Sequence, residues 1–300
     1  MIKRTLCFSN PAYLSLKNKQ LVINYPNDLP SKSAAIEDIG VLVLEHGQIT
    51  LTNALLEQLT IHNIAVINCN QQHMPIGLLL PLSGHTQYSE RFQLQLAASV
   101  PLKKNLWQQT IKAKINNQAA LLTKRNVVVE NMHYWSQSVQ SGDMQNHEAR
   151  AAAYYWANLF NDIPFKRGQF ESAPNNLLNY GYAILRAVCA RALISSGMLP
   201  VMGIHHKNKY NAYCLADDIM EPYRPFVDEV VCYIVDNHDD TEELTPALKQ
   251  YLLQIPALDV VMDDKKSPLM VAMSRTTNSL YECYAGVRKK VLYPDFPSVD

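Results

Sequence analysis

Residues 203–225 read GIHHKNKYNAYCLADDIMEPYRP, gathering two histidines, three carboxylates and an arginine into one short stretch. Asp218 and Glu221 are three apart, which puts both carboxylates on one face of a helical turn. Together with His205 or His206 they would form a mixed carboxylate and imidazole donor set. Such a set suits Mn²⁺, and a carboxylate-rich site with open water positions suits Mg²⁺. A plainer reading stays open, because acidic residues are favoured near a helix N-terminus and Pro222 fits a first helical turn. Arg224 could then simply pair with one of the carboxylates. Upstream, GDMQNHEARAAAYYW offers Asp143 or Asn146 as a helix cap, placing Glu148 in or near the first turn. The small side chains of Ala149, Ala151, Ala152 and Ala153 beside it would let a ligand or another backbone approach closely.

Two kinds of segment must position these residues. Over the first 80 residues the chain is punctuated like β structure. AYLSL and LVIN flank the polar turn KNKQ, IGVLVLEHGQITL turns at Gly47, and IAVINC and MPIGLLLP follow. One short helix, TNALLEQLTIHN, has Thr52 or Asn53 as its cap. The polar stretch SGHTQY, residues 83–88, marks a linker. Beyond it the apolar period becomes helical, in RFQLQLAASV, KKNLWQQTIKAKINNQAALLTK, HEARAAAYYWANLF, NNLLNYGYAILRAVCARALISSG, TPALKQYLLQI and LMVAMSRTTNSLYECYAGVRKKVL. The expected fold class is α+β: a small N-terminal β-rich domain over 1–82, then a larger, mainly α-helical domain over 89–300. Gly181, inside a helical pattern at a cost of about 1 kcal/mol against alanine, predicts a close helix crossing. The glycines and proline of GMLPVMGI predict a tight connection that fixes the histidines.

Composition narrows the class. A hydrophobic content of 48% argues for an ordered globular chain. No uninterrupted apolar run approaches the roughly 18 residues of a membrane span, and MIKRTLCFSN has no apolar export core, so the expected location is the cytoplasm. Six scattered cysteines without a CxxC pair read as reduced thiols. The net charge of zero hides an uneven distribution: residues 88–225 carry 15 basic against 9 acidic side chains, and residues 226–300 carry 7 against 13. A polyanion should therefore lie against the middle. Lys103, Lys104, Lys112 and Lys114 suit contacts to DNA phosphates, with Arg186, Arg191 and Arg224 as further candidates; such contacts are not base-specific. A charged helix run is equally what a solvated face looks like. The chain has neither a P-loop nor a Gly-rich dinucleotide fingerprint.

In combination, NNLLNYGYAIL, SGMLPVMGIHH, LADDIMEPYRP and NHEARAAAYYW resemble the CRISPR-associated integrase family of the spacer-adaptation module, in its short type II form, over nearly the whole chain. The resemblance implies a homodimer built through the N-terminal β domain and one divalent metal, Mg²⁺ or Mn²⁺, in the helical domain. It assigns Glu148, His206 and Glu221 as metal ligands and catalytic residues. His206 is favoured over His205 because the family pattern places its histidine three residues after the glycine; the doubled histidine departs from that pattern. Asp218 matches an acidic position that supports the metal directly or through water. The implied reaction is attack by a 3′-hydroxyl of a captured DNA duplex on a phosphodiester at the border of a CRISPR repeat, or hydrolysis when water replaces the hydroxyl. Implied partners are double-stranded DNA, both fragment and repeat, and a small ferredoxin-like adaptation protein bridging two dimers. The RNA-guided effector nuclease of the locus is a further candidate. Two other classes remain: a stand-alone metal-dependent phosphoesterase and a non-catalytic DNA-binding scaffold.

Overall fold

The computed structural model describes residues 3–26, 29–82, 85–160, 165–168 and 171–297. The chain divides into two compact units, 1–84 and 85–300. Of the expected linker at 83–88, residues 83 and 84 lie outside the described residues, and Tyr88 already opens a helix.

Among the described residues the first unit holds two four-stranded sheets and one α-helix. Strands β1 (Arg4–Phe8), β5 (Ile39–Leu44), β7 (Ala65–Cys69) and β8 (Pro75–Leu79) form one sheet in the order β1-β5-β7-β8. Strands β4 (Lys32–Ala35), β3 (Gln20–Asn24), β2 (Ala12–Lys17) and β6 (Ile49–Leu51) form the other in the order β4-β3-β2-β6. β5 is buried along almost its whole length, which explains why IGVLVL runs apolar instead of alternating. The turn between β2 and β3 places Asn18 and Lys19 at positive φ, the geometry that matches strand twist in a two-residue hairpin. Helix α1 (Asn53–Ile61) is capped by the Thr52 hydroxyl, which accepts from Leu55 N. Leu55 and Leu59 of this helix join Leu14, Leu21, Ile36 and Leu42 in one core. The sequence reading missed β1 and β4, both short.

The second unit is built on two long helices. α2 (Tyr88–Ala97) leads into α3 (Val100–Lys124), whose start is fixed by the Ser99 hydroxyl accepting from Leu102 N and by Pro101 in the first turn. α4 (Glu130–Ser138), missed from sequence, and α5 (His147–Leu159) pack against α3. α6 (Asn175–Ser195) crosses the core and packs against α7 (Cys214–Met220), α8 (Arg224–Asn237) and α10 (Leu269–Tyr284). By length and composition α6 could cross a membrane, but 78% of its most apolar window is buried inside the protein. A Cβ on Gly181 would stand 2.6 Å from Val227 Cγ1, so the glycine sets a close crossing of α6 and α8. α9 (Pro246–Leu252) precedes a hairpin of β9 (Asp259–Met262) and β10 (Lys265–Pro268), which sequence reading also missed. α10 ends at Tyr284 instead of running on through VRKKVL, because Gly286 takes positive φ.

Candidate functional site

Glu148 stands in the first turn of α5. The Asp143 carboxylate fixes that turn, accepting from His147 N at 3.0 Å and Glu148 N at 2.9 Å, while Asn146 occupies the cap position in the left-handed region without a side-chain cap bond. Glu221 sits in the short 3₁₀ turn Glu221–Tyr223 that joins α7 to α8, and it is 4% exposed. The two glutamates meet at Lys114 of α3. Its ammonium is 2.7 Å from Glu148 Oε1 and 2.7 Å from Glu221 Oε2, so the two oxygens are no farther apart than twice that distance. Two metal–oxygen bonds of roughly 2.0–2.6 Å would bridge a comparable gap. Glu221 Oε1 pairs separately with Arg224 Nη2 at 3.0 Å. Burial resists ionisation of Glu221, but Arg224 and Lys114 outweigh it and hold the carboxyl below its ordinary pKa. Burial likewise opposes the charge on Lys114, and the two glutamates more than compensate, raising its pKa.

The histidine loop is organised by Asp218, which is 0% exposed. Its carboxylate accepts from Ile204 N at 2.7 Å, His205 N at 3.0 Å and His206 N at 3.2 Å. It also bonds His206 Nδ1 at 2.5 Å. That bond directs the Nδ1 proton to the carboxylate and leaves Nε2 as the ring's free donor atom, the arrangement common among metal-ligating histidines. The Asp218 hydrogen bond raises the His206 pKa, and the Glu221 charge adds to the effect, so the imidazole and Glu221 sense each other. The neighbouring His205 ring is committed elsewhere, stacked on Trp107 with centroids 4.1 Å apart and planes 4° from parallel. Gly203 is required by the turn: a Cβ there would lie 2.3 Å from His206 O and 2.9 Å from Asp218 Oδ2. Among the described residues no three of His, Cys, Asp and Glu stand grouped for a metal with side chains as they lie. The Lys114 ammonium fills the space between the glutamates, and His206 is drawn to Asp218. The chemistry of the donor set nonetheless fits a hard divalent cation: two carboxylates share one positive charge, and the His206 imidazole, bonded to Asp218 through Nδ1, keeps Nε2 for a further partner.

The expected DNA contacts separate. Lys104 is exposed and Lys103 and Lys112 are half-buried on α3, open to solvent. Lys114 is not with them. It is buried at the acidic pair, which corrects its assignment to a phosphate-binding face. Arg224 is also corrected: it pairs with Glu221 and lies over the Tyr182 ring at 4.7 Å. Arg186 remains partly exposed and donates to Asp217 at 2.6 Å. Sequence reading named Lys114 for a phosphate-binding face and missed its place at the acidic pair, although Trp107, Ile111 and Lys114 share one helix face and a lysine on an apolar face needs a counter-charge.

Behind the site, Asp228 is buried and accepts from Tyr155 at 2.7 Å and Tyr182 at 2.5 Å. Burial pushes its pKa up to about 6, the two tyrosine hydrogen bonds only partly offsetting it. A folded-state pKa above the unfolded value means that this group stabilises most below about pH 3.9 and that its contribution is lost as pH rises through 6, by about 3 kcal/mol in all. Denaturant unfolding of wild type and Asp228→Asn should therefore show the variant gaining up to that amount, relative to wild type, between pH 4 and pH 7.5. A constant difference would refute the assignment.

Comparison with known proteins adds independent findings. The family model described as CRISPR associated protein Cas1 matches residues 6–262. The CRISPR-associated endonuclease Cas1 of Neisseria meningitidis serogroup C (strain 8013) is 35% identical over 292 residues, 97% of this chain and 94% of that one. Among solved structures, a casposase bound to integration product superposes with a TM-score of 0.79 at 18% identity, over 100% of this chain and 95% of that chain. A Cas6-RT-Cas1–Cas2 complex matches with a TM-score of 0.74 at 20% identity, over 97% of this chain and 36% of that chain. Both structural likenesses concern the fold.

Proposed function

Since the chain belongs to the CRISPR-associated Cas1 family, whose relatives are named endonucleases, we propose that its acidic cluster performs phosphodiester transfer on DNA. In this reading a 3′-hydroxyl of a captured duplex attacks a phosphodiester at the edge of a CRISPR repeat, the displaced strand leaves, and the fragment becomes part of the array. One phosphodiester is exchanged for another, so no external energy source is needed. The observation that carries the reading is the meeting of Glu148 and Glu221, from separate elements, at one buried positive charge. Glu148, Glu221 and Nε2 of His206 would hold Mg²⁺ or Mn²⁺. Bound there, the cation would supply Lewis-acid stabilisation of charge on phosphate oxygens. The chain's own residues do the rest. Asp218 keeps the Nδ1 proton of His206 and so frees Nε2. Arg224 neutralises one oxygen of Glu221, and Lys114 holds the two carboxylates together between turnovers.

The test is strand transfer of a labelled duplex into a repeat-bearing duplex, with Mg²⁺, Mn²⁺ or EDTA. Joined product should require a divalent cation and a 3′-hydroxyl. Product formed in EDTA would refute the metal, and turnover of small phosphate esters unaffected by competing DNA would favour the phosphoesterase class.

We extend the reading to assembly. The solved relatives favour DNA and a Cas2-type protein as kinds of partner. The finer proposals are a ferredoxin-like protein bridging two dimers, and contact with the effector nuclease. The homodimer would form through the first unit, where β8 ends a sheet and leaves Ile76 at 65% and Leu79 at 43% exposure. An open strand edge with apolar side chains invites pairing with another copy. The double variant Ile76→Lys, Leu79→Lys should therefore sediment as a monomer at concentrations where wild type is dimeric. A dimer that survives it would place the interface elsewhere.

A further inference from the structure

The segment after α10 carries a second charged feature that the acidic site does not use. A groove of about 770 Å³ runs between α3 and residues 286–290. Its walls present Lys112 from α3 and Arg288, Lys289 and Lys290 from the opposite side, and Asn105 and Gln108 add amides. Among the described residues no carboxylate lines it. Glu282 beside it is engaged with Arg288, whose Nε donates to Glu282 Oε2 at 2.8 Å. Lys112, Lys289 and Lys290 have no ion-pair partner among the described residues.

Clustered cations are often no more than a solvated face, but this group is built. Gln109 clasps the basic segment to α3: its amide donates to Lys289 O at 3.1 Å and accepts from Val291 N at 2.9 Å. Farther along, Leu292 N donates to the Ser279 hydroxyl at 2.9 Å. At the near end, Val287 N and Arg288 N both bond Glu282 O as the chain turns at Gly286. Backbone fixed at both ends holds Lys289 and Lys290 across the groove from Lys112, a repulsive cost that Glu282, engaged with Arg288, does not relieve. That arrangement gains only when an anion enters.

We propose that this groove binds the phosphodiester backbone of a DNA segment. Asn105, Gln109 and Lys112 lie on the face of α3 opposite Trp107, Ile111 and Lys114, so the groove is separate from the acidic site. A strand lying in it is not the strand whose phosphate meets Glu148 and Glu221. Transfer chemistry joins two DNA molecules, and a second phosphate-binding surface gives the chain a hold on DNA away from the reacting bond. It also makes the end of the acidic 226–300 segment a DNA-facing part, against the expectation from its summed charge.

The inference does not depend on the metal reading, and the experiment is run in EDTA to keep the two apart. Binding of a labelled duplex to the full chain is measured by anisotropy at several salt concentrations, for wild type, for Lys289→Ala, Lys290→Ala, and for the control Lys265→Ala, Lys266→Ala. The control removes the same charge from the exposed β10 hairpin. All four lysines are exposed, so both variants should keep the wild-type melting curve. If each groove lysine meets one phosphate, the log–log salt slope flattens by about 1.8 and affinity at 0.1 M salt falls roughly 10- to 100-fold, while the control keeps the wild-type slope. Equal effects of the two variants, or none from the groove variant, would overturn the proposal.

Discussion

Glu148→Gln and Glu221→Gln are each expected to lower strand transfer by at least about 10³-fold, because several kcal/mol of charge stabilisation goes with the cation they would hold. Their stabilities should differ. Glu148 is the less buried of the pair, with its side chain 25% exposed against 6% for Glu221. Its glutamine variant should melt close to wild type. Glu221→Gln strips the counter-charge from Arg224 and shares in stripping it from Lys114, both enclosed, and should lose about 3–5 kcal/mol. His206→Ala should match the glutamates in activity, whereas His205→Ala should lose only the stack on Trp107, about 1 kcal/mol of stability. Transfer assays and melting curves on the four variants separate chemistry from folding. Full activity in Glu148→Gln would end the cation hypothesis, and an inactive His205→Ala beside an active His206→Ala would move the ligand by one residue.

Lys114→Met gives the other large effect, and it is read in stability. The ammonium is the positive charge shared by the two glutamates; replacing it with a neutral chain of similar volume leaves two carboxylates facing each other. Breaking a buried ion pair costs about 3–5 kcal/mol, which for a unit of this size is a fall in Tm of roughly 10 °C in EDTA. Millimolar Mn²⁺ or Mg²⁺ should return much of that loss by occupying the place of the lysine, since a ligand that binds only the folded state stabilises it by mass action. Wild type should respond less, because its own lysine competes for the carboxylates. A variant as stable as wild type in EDTA, with no divalent response, would show that Lys114 neither spans the pair nor competes with a cation.

The parts of this protein that are legible in sequence share a physical cause. Thr52, Gly181 and Gly203 announce themselves because a cap, a close helix crossing and a tight turn each restrict which residue can stand there. The carboxylates and histidines were legible through their short spacing and the family resemblance. Lys114 was not, because summed charge over a segment says nothing about which face a lysine occupies. Only the apolar neighbours on its own helix face, Trp107 and Ile111, carry that information. The β9–β10 hairpin was hidden in a segment that was read only through its summed acidic charge. Its signal was Asp263-Asp264, two residues able to take positive φ between short extended runs. The charged tripeptide Arg288–Lys290 was absorbed into a helix that Gly286 in fact ends.

Helix α3 joins the acidic site and the basic groove through angular phase. Trp107 and Lys114 sit two turns apart on one side, Asn105, Gln109 and Lys112 on the other, and nothing between them bends independently. One residue inserted between Gln109 and Lys112 would rotate everything after it by about 100° and carry Lys114 away from the glutamates while Trp107 stayed under His205. Seven inserted residues would nearly restore the phase but displace Lys114 by about 10 Å along the axis. The helix therefore acts as a key cut on both edges: side chains on one edge cannot be shifted in register without shifting those on the other.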